Sequence, residues 1–359
     1  MRFLRPSAAL TALLTVAGLV TACGASASPA RRAPAAVSAA ECAANRAAGT
    51  ITFVSPFEFD ASAGILDVYA AQHLGYFTAL CLRVAFNPNL TFASPYPLVS
   101  SGAATVTGEG SAADVLLQAS NGVGFTAVAT YGDTSDYALL TRAGISKLTQ
   151  LAGKNLGYHT TLPVVITEML QKAGVDPAKV HEVNDTSFDP TVLVHGPYQA
   201  LQAYQSNEPF TLDAAGDAKD FRTWTPAELG VRGTFNVQVV NSRFLRAHRQ
   251  AVADFLRAEF HAFDYCAAHA PACVGYVAAA AGKSYDRAHA LKEWNYEVAL
   301  SEQHTLSGQG VGVQSAAEWT PELQALVANK LVKKAPSLAS AMDASLAASL
   351  YRGTQLIWP

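Results

Sequence analysis

The sequence predicts an α/β protein with largely parallel sheets, because short β-type runs alternate with amphipathic helical stretches along most of the chain. Of the 359 residues, 50% are hydrophobic and 15% are charged, a composition that excludes a disordered or collagen-like chain. Once an N-terminal export segment is set aside, the remaining length suits two lobes of ordinary domain size.

The alternation of strands and helices can be followed from residue 51. Residues 51–54 form a β-type run that ends at Pro56, and Asp60 and Ser62 are candidate caps for the amphipathic helix that follows. Everything after Phe244 is predicted to be helical. The patterns predict strands at 51–54, 82–86, 126–130, 137–141, 154–158, 180–183 and 235–240, and helices at 65–74, 113–119 and 164–173.

The N-terminus has the pattern of a secretory signal peptide over residues 1–22. Arg2 and Arg5 form a short basic region, followed by an apolar stretch and by small residues directly before Cys23. A cysteine in this place resembles a bacterial lipobox, so we expect Cys23 to be lipidated and residues 23–46 to be a flexible tether. The alternative is an ordinary signal peptide with an incidental cysteine. We therefore predict a protein anchored by lipid on the extracytoplasmic face of a bacterial cell membrane.

Four cysteines remain in a compartment where thiols oxidise. Cys266 and Cys273 are seven positions apart, a spacing that suits a local disulfide, which leaves Cys42 with Cys81 by elimination. The alternative is a metal site, for which no second ligand cluster is present. Its candidate ligands are His261, Asp264, Cys266, His269 and Cys273.

Five loops are candidate ligand sites, because open α/β sheets bind ligands beyond the carboxyl ends of their strands. Residues 57–62, 108–111, 158–161, 184–190 and 205–208 form these loops, which contain no Lys or Arg. They offer aromatic rings, carboxylates and neutral hydrogen-bonding groups. The candidate ligand-binding residues are Phe57, Phe59, Asp60, Glu109, Gly110, Ser111, Tyr158, His159, Thr160, Asp185, Phe188, Asn207 and Glu208.

The absence of cationic residues from these loops argues against an anion site, since a sulfonate, nitrate or phosphate normally needs a guanidinium or an ammonium. A planar heterocycle with nitrogen donors suits aromatic faces and carboxylates better. The formal net charge of −3 also lacks the basic footprint of a nucleic-acid binder. The competing interpretation places Phe57, Phe59 and Phe188 in the core and makes Asp60 and Asp185 caps of helices or turns.

Several segments resemble the substrate-binding proteins of ABC importers, and more narrowly the sulfonate, nitrate and thiamine-pyrimidine binders often called SsuA/THI5-like. DASAGILDVYAAQHLGYF at 60–77, followed by LRV at 82–84, is similar to the opening of that family. LTQLAGKNLGY at 148–158 is similar to its entry into the second lobe, and QSNEP at 205–209 to an element of its pyrimidine and flavin binders. The likeness covers roughly residues 48–300.

The resemblance implies a periplasmic-binding-protein fold of type II, with two α/β lobes and a ligand cleft between them. It places hinge crossovers near 139–143 and 233–237, with one lobe made of 47–142 and 236–359 and the other of 143–235. It also implies that an ABC permease and its ATPase are partners. We expect a monomer without a cofactor.

The resemblance makes Glu208 the expected partner of an aminopyrimidine, so the predicted ligand is a small nitrogen heterocycle such as a thiamine-precursor pyrimidine. Riboflavin, alkylsulfonate, nitrate or urea-type solutes are alternatives, and an exported enzyme acting on a pyrimidine-like substrate is an alternative of another class. Eukaryotic relatives that catalyse use a Lys and a His where this chain has Gly110 and Asp114. We therefore expect binding without catalysis.

Overall fold

The computed structural model describes residues 37–90 and 94–359. The predicted signal peptide, Cys23 and the first part of the predicted tether lie outside these residues. The described residues belong to one compact unit. None of the described helices is both long and apolar enough to cross a bilayer.

The described strands and helices alternate through the first two thirds of the chain, and helices dominate the remainder. The strands are β1 Thr50–Val54, β2 Arg83–Asn87, β3 Val106–Glu109, β4 Phe125–Gly132, β5 Tyr137–Arg142, β6 Asn155–Tyr158, β7 His181–Asn184, β8 Ala200–Tyr204, β9 Phe221–Trp224, β10 Phe235–Asn241, β11 Tyr351–Arg352 and β12 Gln355–Leu356. The helices are α1 Ala39–Ala47, α2 Leu66–His73, α3 Tyr76–Ala79, α4 Tyr96–Ser101, α5 Ala112–Ser120, α6 Val164–Lys172, α7 Val192–His195, α8 Glu208–Ala215, α9 Ser242–Ala247, α10 Arg249–Ala268, α11 Ala270–Ala281, α12 Arg287–His304, α13 Ala316–Ala328, α14 Leu338–Ala341 and α15 Ala344–Ala348.

The predicted α/β class and the two-lobed arrangement are confirmed by two separate five-stranded sheets. The first has the order β2-β1-β3-β10-β4, and the second the order β7-β6-β8-β5-β9. In the first sheet β10 runs antiparallel to β3 and β4, and in the second β5 runs antiparallel to β8 and β9. Each sheet therefore has one edge that gathers the carboxyl ends of its parallel strands and the amino end of its reversed strand.

The chain crosses between the sheets twice, through residues 133–136 and through residues 225–234. The first crossover lies earlier than the predicted 139–143, because β5 pairs with β8 from Tyr137 to Thr141. The whole of β5 therefore belongs to the second sheet, and the lobe boundary moves from residue 142 to the crossover. Every strand and helix predicted between 51 and 240 is present within two residues of its predicted bounds.

Apolar helix faces cover the first sheet on both sides. The 20-residue helix α10 buries Phe255, Phe260 and Phe263 in one cluster with Phe53 of β1. Trp319 of α13 lies in the cluster on the other face. Each such fully buried side chain contributes about 1.5–3 kcal/mol through the hydrophobic effect, so these faces hold the two ends of the chain together in one lobe.

The N-terminal helix α1 occupies residues that the sequence analysis had placed in the flexible tether. Ser38 accepts a hydrogen bond from the backbone N–H of Glu41 and caps the helix. The buried Asn45 donates to the carbonyl of Leu80 and to Asp254 of α10. From residue 39 onward the tether prediction is therefore wrong, since alanine-rich sequence also favours a helix once a cap and tertiary contacts are available.

Both predicted disulfides are confirmed. Cys42 is bonded to Cys81, and Cys266 of α10 is bonded to Cys273 of α11. Two of the five candidate metal ligands, Cys266 and Cys273, are therefore bonded to each other and cannot bind a metal ion. Among the described residues, no group of three or more His, Cys, Asp or Glu side chains is arranged to hold a metal ion.

Candidate functional site

The loops predicted to bind ligand lie at the carboxyl edges of the two sheets. In the first sheet, residues 57–60 follow β1 and residues 109–111 lie at the end of β3. In the second sheet, residues 158–160, 184–188 and 204–208 lie at the ends of the parallel strands β6, β7 and β8. Contacts between the two edges, described below, make this the cleft between the lobes.

A stacked pair of tyrosines occupies the centre of the cleft. The rings of Tyr137 and Tyr204 have centroids 4.8 Å apart, and their hydroxyl oxygens are 3.3 Å apart. Phe57 of the first lobe meets Tyr204 edge-on at 6.0 Å and is 41% exposed. Phe57 and the half-buried Tyr204 provide an aromatic surface to which both lobes contribute, and Tyr137, which is only 5% exposed, packs against Tyr204.

Glu109 and Asp114, called here the first acidic group, lie on one side of the tyrosine pair. Asp114 accepts hydrogen bonds from the Ser111 hydroxyl at 2.8 Å and from the Tyr137 hydroxyl at 3.1 Å. Burial raises the pKa of both carboxyls, and the Asp114 charge adds to the increase at Glu109. The contact with Tyr137 therefore joins the first lobe to the second through a carboxyl.

Gly110 allows this approach of the two lobes. A Cβ on Gly110 would lie 2.6 Å from the Tyr137 hydroxyl oxygen, so any side chain there would displace the tyrosine. Ser111 caps α5 by accepting a hydrogen bond from the backbone N–H of Asp114. These two residues shape the first acidic group rather than extending into the cleft.

The second acidic group consists of five carboxyls. Ser206 lies between two of them, with its hydroxyl oxygen 2.6 Å from Asp136 and 3.1 Å from Glu297. Glu208 accepts a hydrogen bond from the backbone N–H of Tyr204 at 2.7 Å. Asp60 is a hydrogen-bonding neighbour of Glu293, and its charge also acts on Glu208. The members are Asp60, Asp136, Glu208, Glu293 and Glu297.

Protons are retained in the second acidic group at neutral pH. Burial is the main cause that raises the pKa of Asp136 to about 8 and that of Glu208 to about 7. The Ser206 hydroxyl has one hydrogen, so it can donate to only one of its two carboxyl neighbours. When both contacts are hydrogen bonds, the other carboxyl must itself carry a proton.

Helix α12 of the first lobe supplies a large part of this group, and the sequence analysis missed it. Glu293 and Glu297 are one helical turn apart, and Glu297 accepts hydrogen bonds from the Ala63 backbone N–H and the Asn236 side chain, each at 2.6 Å. Tyr296 donates to Gln205 of the second lobe. The available signal was the pair of glutamates at i and i+4 around a tyrosine, about 90 residues beyond the last predicted loop.

Tyr137, Asp136 and Asp114 were also missed as site residues. Tyr137 and Asp136 belong to β5 and the crossover before it, and only the reversed direction of β5 brings its first residue to the ligand edge. Asp114 lies within a helix that the sequence predicts from its apolar positions. No local pattern distinguishes these residues from ordinary strand and helix positions.

Cationic side chains are not paired with the cleft carboxyls. Among the described residues, no ion pair includes a member of either acidic group. Lys292 of α12 lies over the Phe210 ring at 5.8 Å. His289 Nε2 is hydrogen-bonded to the side-chain oxygen of Asn207 at 2.9 Å. Asn207, a predicted ligand residue, is therefore already engaged in a contact between the lobes.

The loops after β6 and β7 form a separate cluster at the same edge of the second sheet. The His159 ring stacks on Phe188 at 4.6 Å, and its Nδ1 lies 2.8 Å from the backbone oxygen of Asp185. The Asp185 carboxylate accepts hydrogen bonds from Ser187, so it stabilises its own turn. Thr160 and Phe188 both have positive φ angles, 58° and 53°.

Two predicted ligand residues in this region have roles of different kinds. Tyr158, at the end of β6, is half-buried against the core of the second lobe. Phe188 is 57% exposed and stacks on His159. This cluster is therefore a rim of the cleft, next to β8, and not part of either acidic group.

Phe59 differs most clearly from its prediction. Its ring stacks on Phe86 at 5.8 Å and meets Tyr69 edge-on at 5.9 Å, and all three pack against the core of the first lobe. The alternative of a loop-anchoring core residue therefore describes Phe59, whereas Phe57 lies in the cleft.

A small cavity of about 20 Å³ lies beside Glu109 in the first lobe. Phe57, Tyr131, Asn236 and Gln238 are among the residues that line it. Its volume suffices for about one water molecule.

Comparisons with known proteins identify a family and a fold. The family described as "NMT1/THI5 like" matches residues 63–272, more than half of the chain. No curated protein matches the sequence.

Solved structures with the same fold include binding proteins and an enzyme. The ligand-binding component of an ABC-type import system from Staphylococcus aureus, with zinc bound, is 12% identical at a TM-score of 0.60, over 83% of this chain and 97% of that chain. The alkanesulfonate-binding protein SsuA from Xanthomonas axonopodis pv. citri, bound to MOPS, is 13% identical at 0.58, over 82% and 98%. The desulfurization enzyme DSZB is 14% identical at 0.51, over 82% and 96%.

Proposed function

The chain belongs to the NMT1/THI5-like family, and from this membership and the cleft we propose that it is the substrate-binding component of an ABC-type importer. Two lobes joined by two crossovers can close around a small solute and exclude water. The neighbours described as ligand-binding components of such systems support this proposal. An ABC permease and its ATPase would then receive the ligand.

We propose that the ligand is a planar nitrogen heterocycle with an amino group, such as a thiamine-precursor pyrimidine. The observation that carries this proposal is the aromatic surface of Phe57 and Tyr204, backed by Tyr137, between carboxyls that form no ion pair with any cation among the described residues. A flat ring can lie against the aromatic surface, and its amino group can donate to a carboxyl. Glu208 is the proposed partner, since its backbone contact leaves acceptor capacity on the carboxyl.

An alkanesulfonate is the second candidate, and the neighbour described as alkanesulfonate-binding favours it. An anion in this cleft would need donors other than Lys or Arg. The hydroxyls of Tyr137 and Tyr204 and the protonated carboxyls could supply them at acidic pH. As the pH rises through about 7 and then about 8, ionisation of Glu208 and then of Asp136 would repel a sulfonate, so the heterocycle agrees better with the geometry.

Calorimetric titration of the purified protein near neutral pH distinguishes the two candidates. The probes are a 4-aminopyrimidine and ethanesulfonate, each titrated into the wild type, into Glu208→Gln and into Glu318→Gln. Glu318 is a matched control, because its carboxyl is also buried, with a pKa raised by burial to about 7, but caps α13 outside the cleft.

We expect the aminopyrimidine to bind the wild type and Glu318→Gln, and to bind Glu208→Gln at least about tenfold more weakly, which corresponds to about 1.4 kcal/mol. Ethanesulfonate should give no binding heat. Tighter binding of the sulfonate would overturn the heterocycle assignment and leave the importer role. Equal affinity of wild type and Glu208→Gln would remove Glu208 from the site.

We also propose that the protein does not catalyse a reaction. The carboxyls at Ser206 share one hydroxyl bridge at 2.6 and 3.1 Å, so they satisfy each other instead of flanking an open slot as an acid–base pair does. The fold alone does not decide the matter, because a desulfurization enzyme shares it. Prolonged incubation with the aminopyrimidine should leave its mass unchanged by mass spectrometry, and any converted product would refute this proposal.

We propose that the protein is anchored outside the cell by a lipid on Cys23. Two disulfides within the described residues support export, since such bonds persist in oxidising compartments. In a bacterial host, the wild type should sediment with the membrane fraction and Cys23→Ala should not. An unchanged distribution would exclude the lipid anchor. The mass of one chain in light scattering would support the expected monomer.

A further inference from the structure

Three hydrogen-bonding groups from both lobes converge on the carboxyl of Glu297. Its Oε2 accepts from the Ala63 backbone N–H and from the Asn236 side chain, each at 2.6 Å, and its Oε1 lies 3.1 Å from the Ser206 hydroxyl oxygen. Ala63 belongs to the loop after β1, Asn236 to β10 and Ser206 to the loop after β8. The carboxyl therefore fills a position where the ligand edges of both sheets present hydrogen-bonding groups.

The chemistry of this position suits the oxygens of an acid. Open α/β sheets bind ligands at this edge, and backbone N–H groups, carboxamides and hydroxyls are groups that hold an oxyanion where no cation is used. Ala63 and Asn236 also line the cavity of about 20 Å³ that Phe57 borders. Two of the three groups therefore share a cavity with a residue of the aromatic surface, and an acid group of a ligand would find its donors here.

Helix α12 supplies the carboxyl that occupies the position. Glu297 is 2% exposed, and Glu293, one turn earlier, accepts from the Ala61 backbone N–H at 3.3 Å. The helix thus places two carboxyls on N–H groups of the loop after β1. The acidic groups that act on Glu297 are Asp136 and Asp60, and in their ionised forms they would also repel an anion that competed for the same donors.

We infer that Glu297 is a specificity-determining residue: it occupies the position of a ligand's acid group from inside the protein and so excludes carboxylates and sulfonates from the cleft. This inference rests on the proposed function and deepens it, because it names the residue that makes the cleft reject acidic solutes. The donors around Glu297 are used internally, whereas the other cleft carboxyls keep acceptor capacity for a ligand. A ligand that brings hydrogen-bond donors therefore fits, and one that brings an acid group does not.

The test vacates the position that Glu297 fills. Glu297→Ala deletes the heavy atoms of an acetate ion and frees the three groups, whereas in Glu297→Gln the amide oxygen keeps two of them occupied. Glu318→Ala is the matched control, since it deletes a buried carboxyl outside the cleft. Acetate and ethanesulfonate are titrated calorimetrically into the wild type and each variant at about pH 5.5, where Asp136, with its pKa of about 8, keeps its proton.

We expect ethanesulfonate to bind Glu297→Ala at least about tenfold more tightly than it binds the wild type, Glu297→Gln or Glu318→Ala. Acetate should also bind Glu297→Ala. A sealed cavity in the core can take acetate as well, but it has no room for the ethyl group of the sulfonate. Binding of acetate alone, or equal binding of ethanesulfonate to all four proteins, therefore overturns the inference.

A thermal melt checks that Glu297→Ala folds. Should it not fold alone, it is refolded with ethanesulfonate: recovery supports the inference, and failure to recover overturns it. Binding of the 4-aminopyrimidine to the wild type near neutral pH decides the proposed ligand separately. If that ring binds but Glu297→Ala gains no sulfonate binding, only this inference fails. If the ring does not bind but the sulfonate gain appears, the heterocycle assignment fails and the role of Glu297 stands.

Discussion

Buried carboxyls occur in two parts of this molecule under opposite electrostatic conditions. At the outer end of the first lobe, Asp254 of α10 is 0% exposed and lies 2.6 Å from the guanidinium of Arg257. Asn45 of α1 donates to the same carboxyl at 2.7 Å. In the cleft, the carboxyls of both acidic groups have hydroxyls, amides and other carboxyls as neighbours.

The difference shows what a nearby cation does to a carboxyl. Arg249, exposed in part, donates to Asp343 and lowers the pKa of that carboxyl to about 2. Burial without a cation raises the pKa of Asp136 to about 8. Asp343 therefore stays ionised and joins two elements of the fold, whereas Asp136 holds a proton at neutral pH that an amine ligand can replace.

Removing the cation at the outer end should have the largest effect on stability. Arg257→Met leaves the Asp254 carboxylate buried without its partner, since only 14% of the Arg257 side chain is exposed. We expect the free energy of unfolding to fall by about 3–5 kcal/mol. Urea unfolding of the full chain measures this change.

The same substitution at an exposed arginine tests whether burial of the ion pair is the reason for this large loss of stability. Arg249→Met removes the partner of Asp343 at a site where 48% of the arginine side chain is exposed, and surface pairs contribute about 0–1 kcal/mol. If Arg257→Met costs no more than Arg249→Met, the buried pair does not hold α10 as the comparison implies.

The two disulfides should differ in their contribution because they close loops of different length. Replacing Cys42 and Cys81 by alanine opens a loop with a sequence separation of 39, and replacing Cys266 and Cys273 one of 7. In the chain-entropy account the losses are about 4 and about 2.5 kcal/mol. Equal losses in urea unfolding would mean that loop entropy is not the main source of stabilisation.

The buried carboxyls of the cleft should set most of the pH dependence of the free energy of unfolding. A carboxyl whose pKa is higher in the folded state stabilises fully below its unfolded value near pH 4, and loses this contribution as the pH rises through the folded value. Asp136 and Glu208, with folded pKa values of about 8 and about 7, therefore lose their stabilising contributions between about pH 4 and pH 8. Asp343, whose pKa is lowered, stabilises above about pH 4 and loses its contribution below that.

Stability of the ligand-free protein should consequently fall by a few kcal/mol between about pH 5 and about pH 8. Urea midpoints measured at several pH values follow this change. Stability that rises toward pH 8 would mean that the cleft carboxyls are ionised in the folded protein, and the comparison between the two regions would fail.

Replacing one cleft carboxyl by an amide, in Glu297→Gln, should change the free energy of unfolding least, and the change should be stabilising. In Glu297→Gln the amide oxygen can accept from Ala63 and Asn236, and the amide N–H can donate to Ser206 without requiring a proton from solvent. We expect a gain of about 1 kcal/mol near pH 8 and none near pH 5.

Glu322→Gln is the control for this substitution. Both Glu322 oxygens accept hydrogen bonds in the fold, from Ala113 and from Thr234, so an amide nitrogen in place of either oxygen leaves one of these donors without its acceptor. It should destabilise or change nothing. A gain at pH 8 in both variants would show that loss of charge, and not the bridge at Ser206, is responsible.

The sequence by itself determined seven strands and three helices between 51 and 240, both disulfides and the absence of Lys and Arg from the five ligand loops. It did not predict β3, β8 and β9, and the short strands β11 and β12 contradict the all-helical prediction after Phe244. The features that it did determine are local properties: the strands β1, β2 and β4 follow from short apolar runs, and α5 and α6 from apolar positions repeated at helical spacing. The pairing of Cys266 with Cys273 follows from their proximity in the chain. The alanine-rich composition concealed α1, because composition does not reveal that Asn45 has the distant partners Leu80 and Asp254.

Only the tertiary structure decided which residues form the cleft. The reversed direction of β5 brings Tyr137 to the ligand edge, and the packing of α12 brings Glu297 to Ser206 across 91 positions of sequence. Phe57 and Phe59 are two positions apart and equally aromatic, yet one faces Tyr204 and the other Phe86. Contacts between residues distant in sequence depend on how the sheets and helices are assembled, and local patterns carry no record of that assembly.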